Sequence, residues 1–199
     1  MLGLSEHVAL RNEFYAKMGA TGDHLFAYEE YWREKQPFLT SRGYTLRPRY
    51  HPKWRPSWHG HPDMNPLDCE DFWQLPVGPI NLLFVCPAPW LLQFYPTVID
   101  ARRVSDGKLV CIKRIRTESR EGEIAALFST EDMRRDHRNH CIPVLEILQD
   151  DEFPEISYLV MPFCRSMDNP PFNLVDDVLD FADQVLEVSD LTASFMSVT

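Results

Sequence analysis

VIDARRVSDGKLVCIKRI, from Val98 to Ile115, holds two β-branched runs, Val98 to Val104 and Leu109 to Ile115. Ser105-Asp106-Gly107-Lys108 lies between them. This pattern predicts a β-hairpin, because glycine and aspartate tolerate the backbone of a tight turn while β-branched residues suit the pleated strands on either side. Side chains alternate along a strand, so Leu109, Cys111 and Lys113 share one face and Val110 and Ile112 the other. Lys113 thus stands among apolar neighbours, where an unpaired ammonium is costly. It calls for an anion.

Downstream of the hairpin, Glu121 to Phe128 carries Ile124, Leu127 and Phe128 at helical spacing, which predicts a short helix lying on the sheet. Ser129 to Asp132 reads as a helix end followed by a new cap, and Asp136 to Cys141 as a polar loop. Val144 to Leu148 and Ile156 to Val160, joined by the acidic Gln149 to Glu155, predict a second antiparallel pair that leaves the sheet at Pro162. Asn173 is placed to cap a helix with Leu174, Val178, Phe181 and Val185 on one side. Asp176, Asp180, Asp183 and Glu187 occupy the other, an amphipathic arrangement running to Glu187.

Upstream, Ser5 to Met18 and a segment from Asp23 to Pro37 read as two helices, the second capped by Asp23 and stopped by Pro37. Pro48, Pro52, Pro56, Pro62 and Pro66, with Trp54 and Trp58 between them, predict an irregular, extended arm, polyproline-like in part. Leu75 to Pro96 is uncharged and strongly apolar. Its prolines divide it into pieces far shorter than the roughly 20 residues that span a bilayer, so it is expected to be an irregular arm or a poorly ordered insertion rather than an anchor.

Composition narrows the function classes. The 199 residues include 20 Lys and Arg against 30 Asp and Glu, a formal charge of -10, which disfavours a general nucleic-acid binder. Five cysteines, at 69, 86, 111, 141 and 164, form no C-x-x-C pair, so neither a disulfide framework nor a zinc ribbon is expected. His51, His59, His61 and Cys69 match no standard ligand spacing, and no metal site is expected. The polar character of residues 1–20 excludes a secretory signal, and an intracellular location, cytoplasmic or nuclear, is expected.

The order strand, strand, short helix, strand, strand, linker, helix resembles the small lobe of protein kinases. Val98, Ala101 and Arg102, a turn at Gly107, then Val110, Ile112 and Lys113 are similar to its second and third strands. Glu123 to Phe128 resembles the following helix, Arg138 to Val144 the passage into the fourth strand, and Tyr158 to Phe163 the fifth strand and hinge. YEEYWREKQPFLTSRGYTLRPRY, PSW and LDCED, followed by the hairpin, resemble kinase-like domains of basidiomycete fungi over most of residues 27–187.

The resemblance implies an α+β fold, an antiparallel sheet with one packed helix preceded by N-terminal helices and a Pro/Trp-rich arm. Its expected divisions are 1–72, an apolar insertion at 73–96, the lobe at 97–164, and a hinge exit with one helix at 165–199. It implies ATP as ligand, with Lys113 on the phosphates and Glu123 orienting it. Val98 and Cys111 would cover the base, Met161 would act as gatekeeper, and Pro162, Phe163 and Cys164 would form the hinge. No glycine-rich loop precedes Val98, however, and neither H-R-D-x-x-x-x-N nor D-F-G occurs in the chain. Magnesium binding and phosphotransfer by these residues are therefore not expected. The helix from Leu174 is expected to mark an early stop, as in a truncated kinase-like chain. The alternative expectation is a pseudokinase-type module that takes a protein partner through the Pro/Trp arm or the first packed helix.

Overall fold

The computed structural model of this chain describes residues 25, 27–61, 63–72, 97–164 and 172–196. The expected helix Ser5–Met18, the Asp23 cap and the apolar stretch Leu75–Pro96 lie outside them. The chain divides into two units, Met1–Leu75 and Pro76–Thr199.

In the first unit, α1 spans Ala27–Ser41 and carries Pro37 inside it, so the expected stop at Pro37 is corrected. Glu29, Trp32, Gln36 and Leu39 form one buried stripe that continues past the proline. Pro37 itself is exposed, so its missing hydrogen bond falls on the solvent side and packing on the other side carries the helix through. The helix ends where Arg42 N–H donates to the Phe38 and Leu39 carbonyls and Gly43 adopts φ +86°, a left-handed closing residue that glycine enters without a Cβ clash.

A short β1 (Tyr44–Thr45) follows. The proline-rich arm is then a succession of tight turns, including 3-10 turns at Pro48–Tyr50 and Pro66–Asp68, rather than an extended or polyproline segment. Backbone N–H groups of Trp54, His59, His61, Met64, Cys69 and Phe72 each donate three residues back. Proline's fixed φ suits the second position of such turns as well as it suits an extended chain, and the local hydrogen bonds decide between them.

The second unit contains an antiparallel sheet in the order β2-β3-β5-β4. Its strands are β2 (Val98–Arg103), β3 (Leu109–Arg116), β4 (Glu146–Gln149) and β5 (Ile156–Pro162). The predicted hairpin forms, with Val98 opposite Lys113 and Ala101 opposite Val110. In its turn Gly107 has φ +70°. The Arg103 guanidinium forks onto Asp106 at 3.0 and 2.6 Å and holds that carboxyl at about 2.

Helices α2 (Arg120–Phe128) and α3 (Glu131–Arg135) join β3 to β4. Asn139 locks their ends, its Nδ2 donating to the carbonyls of Phe128 and Met133 at 2.8 and 2.9 Å. Buried Asp150 fixes the β4–β5 connection by accepting from the Glu152 and Phe153 N–H groups and the Tyr158 hydroxyl.

The last helix, α4, runs Val175–Met196, well past the expected end at Glu187, because Val188 to Met196 contains neither proline nor glycine and Leu191 is buried. The expected apolar face of this helix is only partly covered, since Leu174, Val178 and Val185 are exposed. The fold is thus α+β, with an antiparallel sheet and helices in the second unit and a helix plus turn-rich arm in the first. No helix among the described residues is long and apolar enough to cross a membrane.

Candidate functional site

The sheet of the second unit has two unequal faces. Ile99, Ala101, Val110, Ile112, Leu148, Tyr158 and Val160 are all buried, and the register sets them on one side. The opposite face carries Val98 and Asp100 from β2, Cys111, Lys113 and Ile115 from β3, and Leu159 and Met161 from β5. Across strands, Lys113 lies opposite Val98 on one side and Leu159 on the other, and Cys111 opposite Asp100 and Met161. Four of the residues singled out by sequence, Val98, Cys111, Lys113 and Met161, therefore meet on one partly open face.

Helix α2 is seated over the far end of that face by close approach. A Cβ on buried Gly122 would lie 2.9 Å from Ile115 Cδ1, so glycine lets the helix sit against the strand. Ser119 caps the helix, its Oγ accepting from the Gly122 N–H at 3.3 Å. Residues advance about 100° each around a helix. Gly122, Ala125 and Phe128 consequently lie on the packed side, Glu121 stands at its rim with the side chain half exposed, and Glu123 falls on the outside.

The Lys113 ammonium accordingly forms its ion pair with Glu121, not with the expected Glu123, although both glutamates are exposed. Two residues span about 200° of the helix, so both glutamates cannot reach the sheet. Leu127, expected to pack on the sheet, is likewise turned outward at 38 % exposure. Sequence reading overlooked Glu121 because neither the position of the cap nor the depth of Gly122 is visible in periodicity alone.

The electrostatics of the face follow from its partial burial. Burial pushes the Cys111 thiol up to about 11, with the charges of Asp100 and Cys164 acting in the same direction and Lys113 against them. At pH 8 the thiol is protonated and unreactive. Iodoacetamide at that pH should label exposed Cys164 and leave Cys111 unmodified, as read by peptide mass spectrometry. Equal labelling would mean that Cys111 is more open than its place in β3 requires.

Of the expected hinge residues, Pro162 closes β5 and pairs with Val110 on the opposite side of the sheet from Lys113. Phe163 and Cys164 follow as exposed residues, with Phe163 N–H donating to the Leu109 carbonyl at 3.4 Å. Cys164 is near enough to the face for its charge to act on the Cys111 thiol. Asp136 of Asp136-His137-Arg138 is engaged locally, accepting from Arg138 Nε at 3.1 Å and Nη2 at 2.7 Å.

A groove of about 870 Å³ lies between Arg116 to Ser119 and Pro154 to Glu155, and none of its lining residues is among those expected from sequence. Among the described residues no group of three His, Cys, Asp or Glu side chains stands together to hold a metal. Among the described strand residues Asp100 is the one carboxylate on the Lys113 face, and the Glu121 carboxylate beside it is engaged by Lys113. No protein-family profile, curated protein or solved structure matches this chain.

Proposed function

We propose that the Val98, Cys111, Lys113 and Met161 face is the nucleotide-binding half of a protein-kinase-like small lobe. The observation that carries the reading is a single lysine on the second strand of the hairpin, held by a carboxylate from the next helix and set among apolar side chains of adjacent strands. A lysine so placed offers a fixed positive charge to phosphates while Val98, Cys111 and Met161 present an apolar surface to a base. Glu121 takes the orienting role. The 199 residues hold neither an H-R-D-x-x-x-x-N nor a D-F-G sequence, so this chain is proposed to bind ATP without transferring its phosphate.

A thermal titration tests the reading. With free ATP at ten times its dissociation constant, linkage stabilises the bound unit by about 1.4 kcal/mol, a shift of a few degrees. Lys113→Ala should abolish the shift, Glu121→Gln should reduce it, and Glu123→Gln should leave it as in the wild type. The Lys113–Glu121 pair is substantially exposed and contributes little to stability, so the unliganded variants should melt near the wild-type temperature. No ATP-induced shift in the wild-type chain would overturn the nucleotide reading and favour a pseudokinase-type module that takes a protein partner.

A further inference from the structure

Among the described residues, helix α4 packs on its own unit through one side. Leu191 is 2 % exposed, the ring edge of Phe195 meets Phe128 with centroids 6.0 Å apart, and Glu187 bonds His140 Nε2 at 2.7 Å. At about 100° per residue these three fall within one third of the helix circumference. Centred on the opposite side are Leu174, Val175, Val178, Leu179, Val185 and Leu186, between 47 % and 75 % exposed. An apolar band of this size on a 22-residue helix, about 33 Å long, is the kind of exposed surface that marks an interaction site.

Charge indicates the occupant. Asp176 and Asp183 are exposed along one edge of the band, and residues 173–199 contain no Lys, Arg or His. A second copy of the chain would bring like charges together, in a protein whose formal charge is already -10. An anionic bilayer would be repelled in the same way. We infer that this face of α4 docks a basic amphipathic helix of a protein partner, with leucine-type side chains against the apolar band and Lys or Arg over Asp176 and Asp183. The inference does not depend on nucleotide binding, since it uses no residue of the Lys113 face.

The probe is a fluorescein-labelled amphipathic peptide made only of Leu and Lys, about 18 residues long and so about five helical turns, titrated with the full chain and read by anisotropy. Binding should be saturable, fall with added salt, and weaken at least tenfold in Leu186→Asp and in the double variant Asp176→Lys/Asp183→Lys. The mirror peptide of Leu and Glu should not bind. All three substitutions are at exposed positions, and unchanged circular dichroism melts would exclude misfolding as the cause. Equal binding by wild type and Leu186→Asp would overturn the inference in favour of diffuse acidity. A wild-type dimer in sedimentation that Leu186→Asp dissolves would assign the face to a second copy. Binding to phosphatidylcholine vesicles that Leu186→Asp abolishes would assign it to a lipid surface.

Discussion

Arg49→Ala is expected to destabilise the first unit by about 3–5 kcal/mol, the cost of breaking a buried ion pair by removing one partner. Arg49 and Glu29 are 0 % and 1 % exposed and meet at 2.8 Å, with a second contact at 3.0 Å. Arg49 also donates to the Asp71 carbonyl at 3.0 Å and lies over the Trp54 ring at 5.1 Å. The guanidinium therefore ties α1 to both ends of the proline-rich arm.

The Asp71 side chain completes the connection by accepting from Trp54 Nε1 at 2.8 Å and from the Ser57 N–H and hydroxyl at 2.9 and 2.6 Å. Burial pushes this carboxyl up, yet the Ser57 and Trp54 hydrogen bonds outweigh it and the net shift is downward. Removing Arg49 takes the guanidinium from the buried Glu29 carboxylate, which also accepts from the Tyr50 hydroxyl at 3.2 Å. Urea unfolding followed by tryptophan fluorescence would measure the loss. Glu29→Leu/Arg49→Met should recover much of it, since a hydrophobic pair removes both charges together. An unchanged midpoint in Arg49→Ala would show that the arm is held by its aromatic contacts instead.

That network was hidden in the sequence, and the reason is physical. Arg49 and Asp71 are separated by 21 intervening residues and stand in a proline-rich stretch whose composition suggests an extended chain. Nothing in periodicity reveals that successive tight turns return one end to the other. The hairpin was legible because both its signals are local, namely alternation in Leu109 to Ile115 and the Asp106-Gly107 turn. The assembly of Val98, Cys111, Lys113 and Met161 on one face was half legible. Alternation places Cys111 beside Lys113, but their neighbours depend on a register set over 40 residues away, where Met161 falls opposite Cys111. The carboxylate partner of Lys113 was misread by two residues, because the rotation of α2 is fixed by Gly122 against Ile115, a close approach that acts through the absence of a side chain. Pro37 misled in the opposite sense. A local helix-breaking signal yielded to a buried stripe running from Trp32 to Leu39.

If the Lys113 face binds nucleotide as proposed, the alternation of β3 also separates stability from binding, which makes Ile112→Ala informative beside Lys113→Ala. Ile112 is 0 % exposed, opposite Ile99 on one neighbouring strand and Val160 on the other. Truncating it removes buried methyl and methylene groups from a packed core and leaves a cavity, so it should cost about 2–5 kcal/mol. Its melting temperature should fall by roughly 5–15 °C for a chain of this size. The adjacent residue points to the other side of the sheet, where the lysine side chain is a third exposed, so Lys113→Ala should move the unliganded melt by only a degree or two. The two variants should then exchange places on addition of ATP. Below its lowered melting temperature Ile112→Ala keeps the Lys113 face and should still be stabilised, whereas Lys113→Ala should not respond. If Lys113→Ala proved as destabilising as Ile112→Ala, the lysine would be a structural member of the core, and a face that depends on it for folding could not be read as a cleft held open for phosphate. A stable but ATP-insensitive Lys113→Ala alongside an unstable but ATP-sensitive Ile112→Ala is the outcome that assigns the two faces of a single strand to two different tasks.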